Sequence, residues 1–145
     1  MDSQVTYGYW GTRGRGQTGR LLLHYTQANW VDKKYTSPDA WFEQDKKNIG
    51  FSFPNLPYLV EGNLKITESM GMFRYIINRS DKKELLGKTL QDQGRVDNLT
   101  GVYEDVEKVI FFSIIFTENL EQEKPQALEK VKGKLGFIQR LYGDK

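Results

Sequence analysis

The hydrophobic pattern of this chain changes character once, near residue 80, and that change limits the folds open to it. Before that point, short stretches rich in β-branched and aromatic residues take turns with amphipathic helical stretches. Beyond it, apolar residues recur only at helical spacing. An α/β unit followed by an all-α unit satisfies both patterns. We expect the α/β unit at residues 1–80, a polar linker at 81–90 and the helical unit at 91–145.

Strand signals open the first unit. Residues Val5–Trp10 predict a strand, in which Tyr7 and Tyr9 share one face by the period of two. Pro54 and Pro57 exclude a helix around them, because proline lacks an amide hydrogen and restricts the residue before it. The other predicted elements are a helix at 17–29, a strand at 31–35, a short helix or loop at 38–47, a strand hairpin at 58–60 and 64–67, and a helix at 69–78.

Two helices are predicted for the second unit. The first runs from Gln91 to about Glu118, with an apolar stripe that includes Val106 and Ile110. The second begins at Pro125, because proline is tolerated at the first helical position, where the amide needs no partner.

Composition excludes several classes of function. The 21 Lys and Arg residues nearly balance 19 Asp and Glu residues and are interleaved with them, so we expect no nucleic-acid partner. The absence of cysteine excludes disulfides, thiolate metal sites and a protein thiol as nucleophile, and is compatible with a reducing compartment. No signal-peptide pattern or membrane-spanning apolar run is visible. His24 is the sole histidine, and neither a metal site nor a catalytic triad can be built around it.

The glycine-rich stretch after the first strand leaves two interpretations open, a dinucleotide-binding motif and an ordinary turn. Gly14 to Gly19 reads G-x-G-x-x-G and opens a helix, which is the form of a dinucleotide-binding fingerprint. The preceding strand is not the apolar run of a buried parallel strand, and the later proline-rich hairpin does not fit a nucleotide-binding half. A P-loop is excluded, because no Gly-Lys-Ser/Thr sequence follows.

Two further segments suit a peptide ligand. At Asn55–Leu56–Pro57, a cis bond before the proline would expose the Leu56 amide and carbonyl to an extended peptide, whereas a trans bond would make an ordinary turn. At Glu68 and Ser69, the amides and hydroxyl at a helix start suit a carboxylate, and the acidic side chain suits an ammonium group. Simple helix capping is the alternative for this second segment.

These motifs, in this order, resemble the glutathione transferases, and the wording is closest to the mu class. The matching words are Gly8–Tyr9–Trp10, Arg13–Gly14, Arg20–Leu21–Leu22–Leu23, Phe53–Pro54–Asn55–Leu56–Pro57–Tyr58–Leu59, Lys65–Ile66–Thr67–Glu68–Ser69 and Arg95–Val96–Asp97. The similarity covers nearly the whole chain. It implies a thioredoxin-like α/β domain followed by an all-α domain that is shortened, because the family's second domain normally continues through several more helices. Without those helices, the resemblance implies that the two predicted helices expose apolar surface.

The resemblance also implies roles for individual residues. Tyr9 is the implied catalytic residue, with its hydroxyl hydrogen-bonded to the sulfur of glutathione. Leu56 is implied to pair through its backbone with the cysteinyl residue, and Asp105 to reach into the site of a partner subunit. The remaining implied glutathione contacts are Trp10, Trp41, Lys46 and Asn55, the last three towards the glycyl carboxylate, and Glu68 and Ser69 at the γ-glutamyl head.

The activity implied is conjugation of the glutathione thiolate to hydrophobic electrophiles, with glutathione as substrate and no metal. A cytoplasmic homodimer, or a subunit of a larger assembly, is implied as the working form. The alternative is a catalytically weak structural or regulatory subunit with the same fold. Arg15 favours this alternative, because it replaces an apolar residue near the sulfur, and so does the shortened helical domain. Lys46 lies in a segment one residue longer than the mu pattern.

Overall fold

A computed structural model describes residues 3–143 of the chain. It divides into two compact units, one that runs through Leu86 and one that begins at Gly87. The first unit is built on a four-stranded sheet and the second on two long helices. The α/β unit and the all-α unit expected from the change in periodicity are therefore both present.

The sheet has the strand order β2-β1-β3-β4. β1 pairs in parallel with β2 and antiparallel with β3, which in turn pairs antiparallel with β4. β3 and β4 form the predicted hairpin, with Gly62 in the left-handed backbone region (φ 56°) at its turn. The strands are β1 at Val5–Trp10, β2 at Trp30–Tyr35, β3 at Tyr58–Glu61 and β4 at Leu64–Thr67.

Helices α1 (Gly16–Tyr25) and α3 (Ser69–Asn78) contact each other and the sheet. Between β2 and β3, a π-helical segment at Ala40–Asp45 continues into the short helix α2 at Lys46–Asn48. A 3₁₀ turn at Lys83–Leu86 follows α3. The main core is formed by Val5, Tyr7, Leu23, Leu59, Met72 and Ile76, and a second buried cluster by Tyr35, Trp41 and Tyr58.

Helix α1 ends four residues earlier than predicted. Gln27 adopts a left-handed backbone conformation (φ 52°), its amide donates to the His24 carbonyl, and the Ala28 amide donates to the Leu23 carbonyl. This pair of bonds is the Schellman motif, which satisfies the last carbonyls of a helix. The prediction ran on to Asn29 because the motif usually carries glycine at the left-handed position.

The second unit consists of α4 (Leu90–Ile110), a π-helical turn at Phe111–Ile115, and α5 (Leu120–Tyr142). Thr89 and Asp92 form a reciprocal capping box at the start of α4. The predicted start of α5 is wrong, because Pro125 lies inside the helix. The Thr117 hydroxyl accepts from the Asn119 amide and donates to Glu123, and these bonds hold an earlier helix start.

Apolar side chains of the second unit are exposed, as expected. The largest exposed fractions include Leu90 (81%), Phe112 (69%), Phe116 (68%), Leu141 (64%) and Phe137 (60%). In the described part of the chain, none of the helices combines the length and apolar character needed to cross a bilayer.

Candidate functional site

The sheet brings the segments that carry Tyr9 and Leu56, two of the predicted glutathione contacts, to one of its ends. β1 and β3 are antiparallel, with Gly8 opposite Tyr58. Tyr9 and Trp10 follow Gly8, while Leu56 stands two residues before Tyr58. Continuing the register therefore sets the end of β1 beside the segment that carries Leu56.

β4 adds the predicted γ-glutamyl contacts to the same end. β3 and β4 are antiparallel, and Thr67 lies opposite Tyr58. Glu68 and Ser69 follow Thr67 directly, at the end of the sheet where Leu56 precedes Tyr58. Residues that are far apart in sequence thus converge on one sheet end, as a peptide-binding site requires.

Tyr9 is buried against the glycine-rich turn. Only 6% of its surface is exposed, and its hydroxyl oxygen accepts a hydrogen bond from the Arg15 amide at 3.2 Å. A Cβ atom on Gly16 would lie 2.3 Å from the Tyr9 ring, and one on Gly14 would lie 2.8 Å from its hydroxyl. The two glycines therefore leave the space in which the Tyr9 ring is held.

Gly19, the third glycine of the motif, also makes room for a tyrosine ring. A Cβ atom on Gly19 would lie 2.2 Å from the hydroxyl oxygen of Tyr7, which is fully buried and has no hydrogen-bond partner among the described residues. Burial raises the pKa of Tyr7 well above its usual value, so this phenol stays neutral. All three glycines make room for tyrosines, and the mixed sheet lacks the parallel order of a dinucleotide fold, so the dinucleotide interpretation is not supported.

Arg20 holds the turn in place and was not predicted from the sequence to do so. Its Nη1 and Nη2 atoms donate to the carbonyls of Thr12 (2.7 Å) and Trp10 (3.0 Å), and its Nε atom donates to both oxygens of Asp32 at 3.1 Å. Arg20 is 8% exposed. The sequence signal for the burial of Arg20 is its spacing, because Arg20 lies three residues before the buried Leu23, on the inward stripe of α1.

The Leu56–Pro57 peptide bond is cis, which is one of the two forms that the sequence left open. The Leu56 amide donates to the side-chain oxygen of Asn55 at 2.9 Å. The two residues predicted to bind different parts of a tripeptide are thus in contact with each other in this structure. A peptide that pairs with the Leu56 amide would have to replace this local hydrogen bond.

Glu68 and Ser69 lie where β4 meets α3. Glu68 is exposed and has a left-handed backbone (φ 63°), which is strained for a residue other than glycine. Strain of this kind, of order 1–3 kcal/mol, is often found at ligand sites. Its side chain does not cap α3, so the capping role that was the alternative for this segment is not filled by Glu68. A cavity of about 180 Å³ opens beside Glu68 and is lined also by Phe53 and Lys65.

Three of the predicted glutathione contacts differ in exposure, and two of them, Trp41 and Lys46, were predicted for the glycyl end. Trp41 is only 2% exposed, and its indole ring stacks on the Tyr58 ring at a centroid distance of 5.9 Å. Lys46 is half-buried, with its ammonium 5.3 Å from the Phe42 ring centroid. Trp10 is half-buried and has edge contact with Tyr35 at 6.2 Å. The Trp41 ring therefore belongs to the core of the unit.

A polar network joins Tyr35 and Tyr58 to the partly buried Asp45 and the exposed Lys33. The Tyr35 hydroxyl donates to the Asp45 carboxylate and lies 2.9 Å from the Tyr58 hydroxyl, while the Lys33 ammonium pairs with the same carboxylate. Burial, reinforced by the hydrogen bonds, raises the pKa of Tyr35. Burial opposes ionisation of Asp45, but hydrogen bonds from Lys33 and Tyr35 outweigh it and lower its pKa.

Asp105 lies in the other unit, on α4. It is paired with Lys134 of α5 at 2.8 Å, and about half of its side chain is exposed. Hydrogen bonding from Lys134 lowers the pKa of Asp105. Among residues 3–143, no group of three or more His, Cys, Asp or Glu side chains is arranged to hold a metal ion.

Comparison with known proteins identifies the family of the chain. Residues 5–78 match the family model "Glutathione S-transferase, N-terminal domain". The chain is 34% identical to chicken Glutathione S-transferase 2 over 97% of its own length, and 37% identical to human Glutathione S-transferase Mu 5 over 96%. It spans 65% of the length of each of these relatives.

A solved structure, rat hPGDS complexed with a quinoline, has the same fold. The TM-score is 0.81 at 22% identity, over 98% of this chain and 69% of the other. This similarity confirms the thioredoxin-like sheet followed by a helical part. With the family model covering half of the chain and mu-class proteins among its relatives, the chain belongs to the glutathione S-transferase family and is mu-class-like.

Proposed function

We propose that the chain binds glutathione at this end of the sheet and activates its thiol for conjugation to hydrophobic electrophiles. The hydrogen bond from the Arg15 amide to the Tyr9 oxygen is the observation that carries the proposal. A phenol whose oxygen accepts a hydrogen bond is a stronger donor, because hydrogen bonds in a chain polarise one another. Tyr9 is therefore suited to donate to an anionic sulfur.

The chemistry needs no protein thiol. A free thiol is mostly protonated at neutral pH, and the thiolate is the nucleophile. Donation from Tyr9 stabilises the thiolate, so that the thiol proton passes to solvent. The sulfur then forms a bond to the electrophilic carbon while the bond to the leaving group breaks, and the leaving group departs with its electron pair.

The tripeptide is proposed to lie along the sheet end in one direction. Glu68 and Ser69 take the γ-glutamyl head, and the Leu56 backbone pairs with the cysteinyl residue. Lys46 and Asn55 take the glycyl carboxylate, and Trp41 supports this end from the core. Trp10 is a further contact of the tripeptide. Asp105 is proposed to act on a partner subunit's site.

The working form is proposed to be a homodimer, or a subunit of a larger assembly, in the cytoplasm, where the glutathione pool is kept reduced. A second candidate function is that of a catalytically weak structural or regulatory subunit. The exposed Phe112, Phe116 and Phe137 in the helical unit favour this candidate, because apolar patches often mark protein interfaces.

The test combines binding and turnover. The purified chain is passed over immobilised glutathione and assayed for conjugation of an aryl halide, beside Tyr9→Phe. We expect retention by both proteins and a turnover loss of about 10- to 100-fold in the variant, the effect of losing one charge-assisted hydrogen bond. Retention without turnover by the unaltered chain would favour the second candidate. No retention would refute both.

A further inference from the structure

The segment that carries Lys46 lies outside the sheet, and one carboxylate links it to the sheet. Asp45, the residue before Lys46, accepts from the Tyr35 hydroxyl and pairs with the Lys33 ammonium. Both partners belong to β2, whereas Asp45 ends the π-helical segment. The link therefore joins the proposed glycyl-binding segment to the edge strand of the sheet.

The network continues across the central strand. The Tyr35 and Tyr58 hydroxyls are 2.9 Å apart, although β1 lies between their strands. Gly8 of β1 makes this possible, because a Cβ atom there would lie 2.2 Å from the Tyr58 ring. The Trp41 ring stacks on Tyr58 from the same segment that carries Asp45. The segment is thus attached by a polar link at one point and by a buried ring at another.

We propose that Asp45 is a positioning residue for glutathione: its link to β2 fixes Lys46 where the glycyl carboxylate binds. The inference rests on the proposed function and adds a residue to it that makes no contact with the ligand. Lys46 follows Asp45 directly in the chain, so a rotation of the backbone at Asp45 displaces the Lys46 ammonium. The buried Trp41 ring holds the same segment through apolar contacts.

A role in stability alone makes a different prediction from a positioning role. A general loosening of the unit weakens every ligand, whereas misplacement of Lys46 weakens only ligands that carry the glycyl carboxylate. Glutathione and γ-glutamylcysteine, which lacks the glycyl residue, separate these cases. We expect Asp45→Ala to weaken glutathione binding by about tenfold, the effect of losing one hydrogen bond to a charged group. Binding of γ-glutamylcysteine is expected to be unchanged.

A double-mutant cycle with Lys46→Ala tests whether the two residues act together. If Asp45 acts through Lys46, the double variant binds glutathione no more weakly than Lys46→Ala alone. Asp39→Ala is the matched control, because it removes the same charge from the same segment and its side chain makes no capping hydrogen bond. Tyr35→Phe, which keeps the ring and removes one contact to Asp45, replaces Asp45→Ala if that variant fails to fold.

The outcomes distinguish a failure of the positioning role from a failure of glutathione binding itself. Equal losses for both ligands, or additive losses in the cycle, overturn the positioning role and leave glutathione binding intact. Unchanged glutathione affinity in both Asp45→Ala and Tyr35→Phe overturns it as well. If the unaltered chain binds neither ligand, the proposed function fails and the inference fails with it.

Discussion

Replacement of Gly16 by alanine is the sharpest steric test of how Tyr9 is held. The new Cβ atom would lie 2.3 Å from Cδ1 and 2.5 Å from Cγ of the Tyr9 ring. Non-bonded carbon atoms prefer separations of about 3.5–4.0 Å, so the ring or the first turn of α1 must move by about 1 Å. A displacement of that size at a reacting group costs about 100-fold in rate.

This variant should lose stability as well as rate. Overpacking costs about 1–3 kcal/mol, and the helix propensity of alanine offsets up to about 1 kcal/mol of that cost. Gly133→Ala in α5 is the matched control, because its Cβ would meet no atom within 4 Å beyond its own helix backbone, among the described residues. We expect this control to keep full turnover and to gain about 1 kcal/mol in stability.

The assay is aryl halide conjugation at saturating glutathione, together with urea unfolding of both variants. A Gly16→Ala protein that is folded and as active as the unaltered chain would contradict this packing of Tyr9, because the ring would then not be pinned by this glycine. A Gly133→Ala protein that loses turnover would also contradict it, since the loss could then follow from any glycine replacement.

Three further predictions concern stability and are read from urea unfolding. Tyr7→Phe leaves the unfolding free energy unchanged or raises it by about 1 kcal/mol, because the lost hydroxyl is buried without a partner among the described residues. Burial opposes ionisation of Glu61, but hydrogen bonds from Ser3, Tyr75 and Arg79 outweigh it and lower its pKa. The contribution of Glu61 to the unfolding free energy is therefore complete above about pH 4.3 and is lost as pH falls through the folded pKa. Glu61→Gln should not show this loss. Thr89→Ala removes the cap of α4 and costs about 1 kcal/mol in the second unit.

Elements with strong local signals were predicted closely. The strands at Val5–Trp10 and Leu64–Thr67 and the helix at Ser69–Asn78 have the predicted bounds. A run of β-branched and aromatic residues defines the first strand, and the Glu61–Gly62–Asn63 turn defines the start of the second. The end of α1 at Tyr25 was missed, because a residue other than glycine, Gln27, takes the left-handed position of the cap.

The site could be predicted from the sequence where its residues lie in short contiguous motifs. Tyr9, Leu56 and Glu68 each stand in a short motif, and strand pairing then brings their segments to one end of the sheet. The contact between Asp45 and Tyr35 has no such signal, because it joins two elements through side chains with no characteristic spacing. The match between three glycines and two tyrosines is likewise a property of packing, which no local pattern predicts.

The thiol pKa of bound glutathione shows whether Tyr9 donates to the sulfur, and thiolate absorbance in the ultraviolet measures this pKa. A charge-assisted hydrogen bond from Tyr9 is expected to lower that pKa by about one to two units relative to free glutathione. Tyr9→Phe should remove most of the shift. Tyr7→Phe, which alters a phenol on the same face of β1, should keep it. An unshifted thiol pKa in the unaltered chain, or equal shifts in the unaltered chain and Tyr9→Phe, would contradict the assignment of Tyr9 to the sulfur.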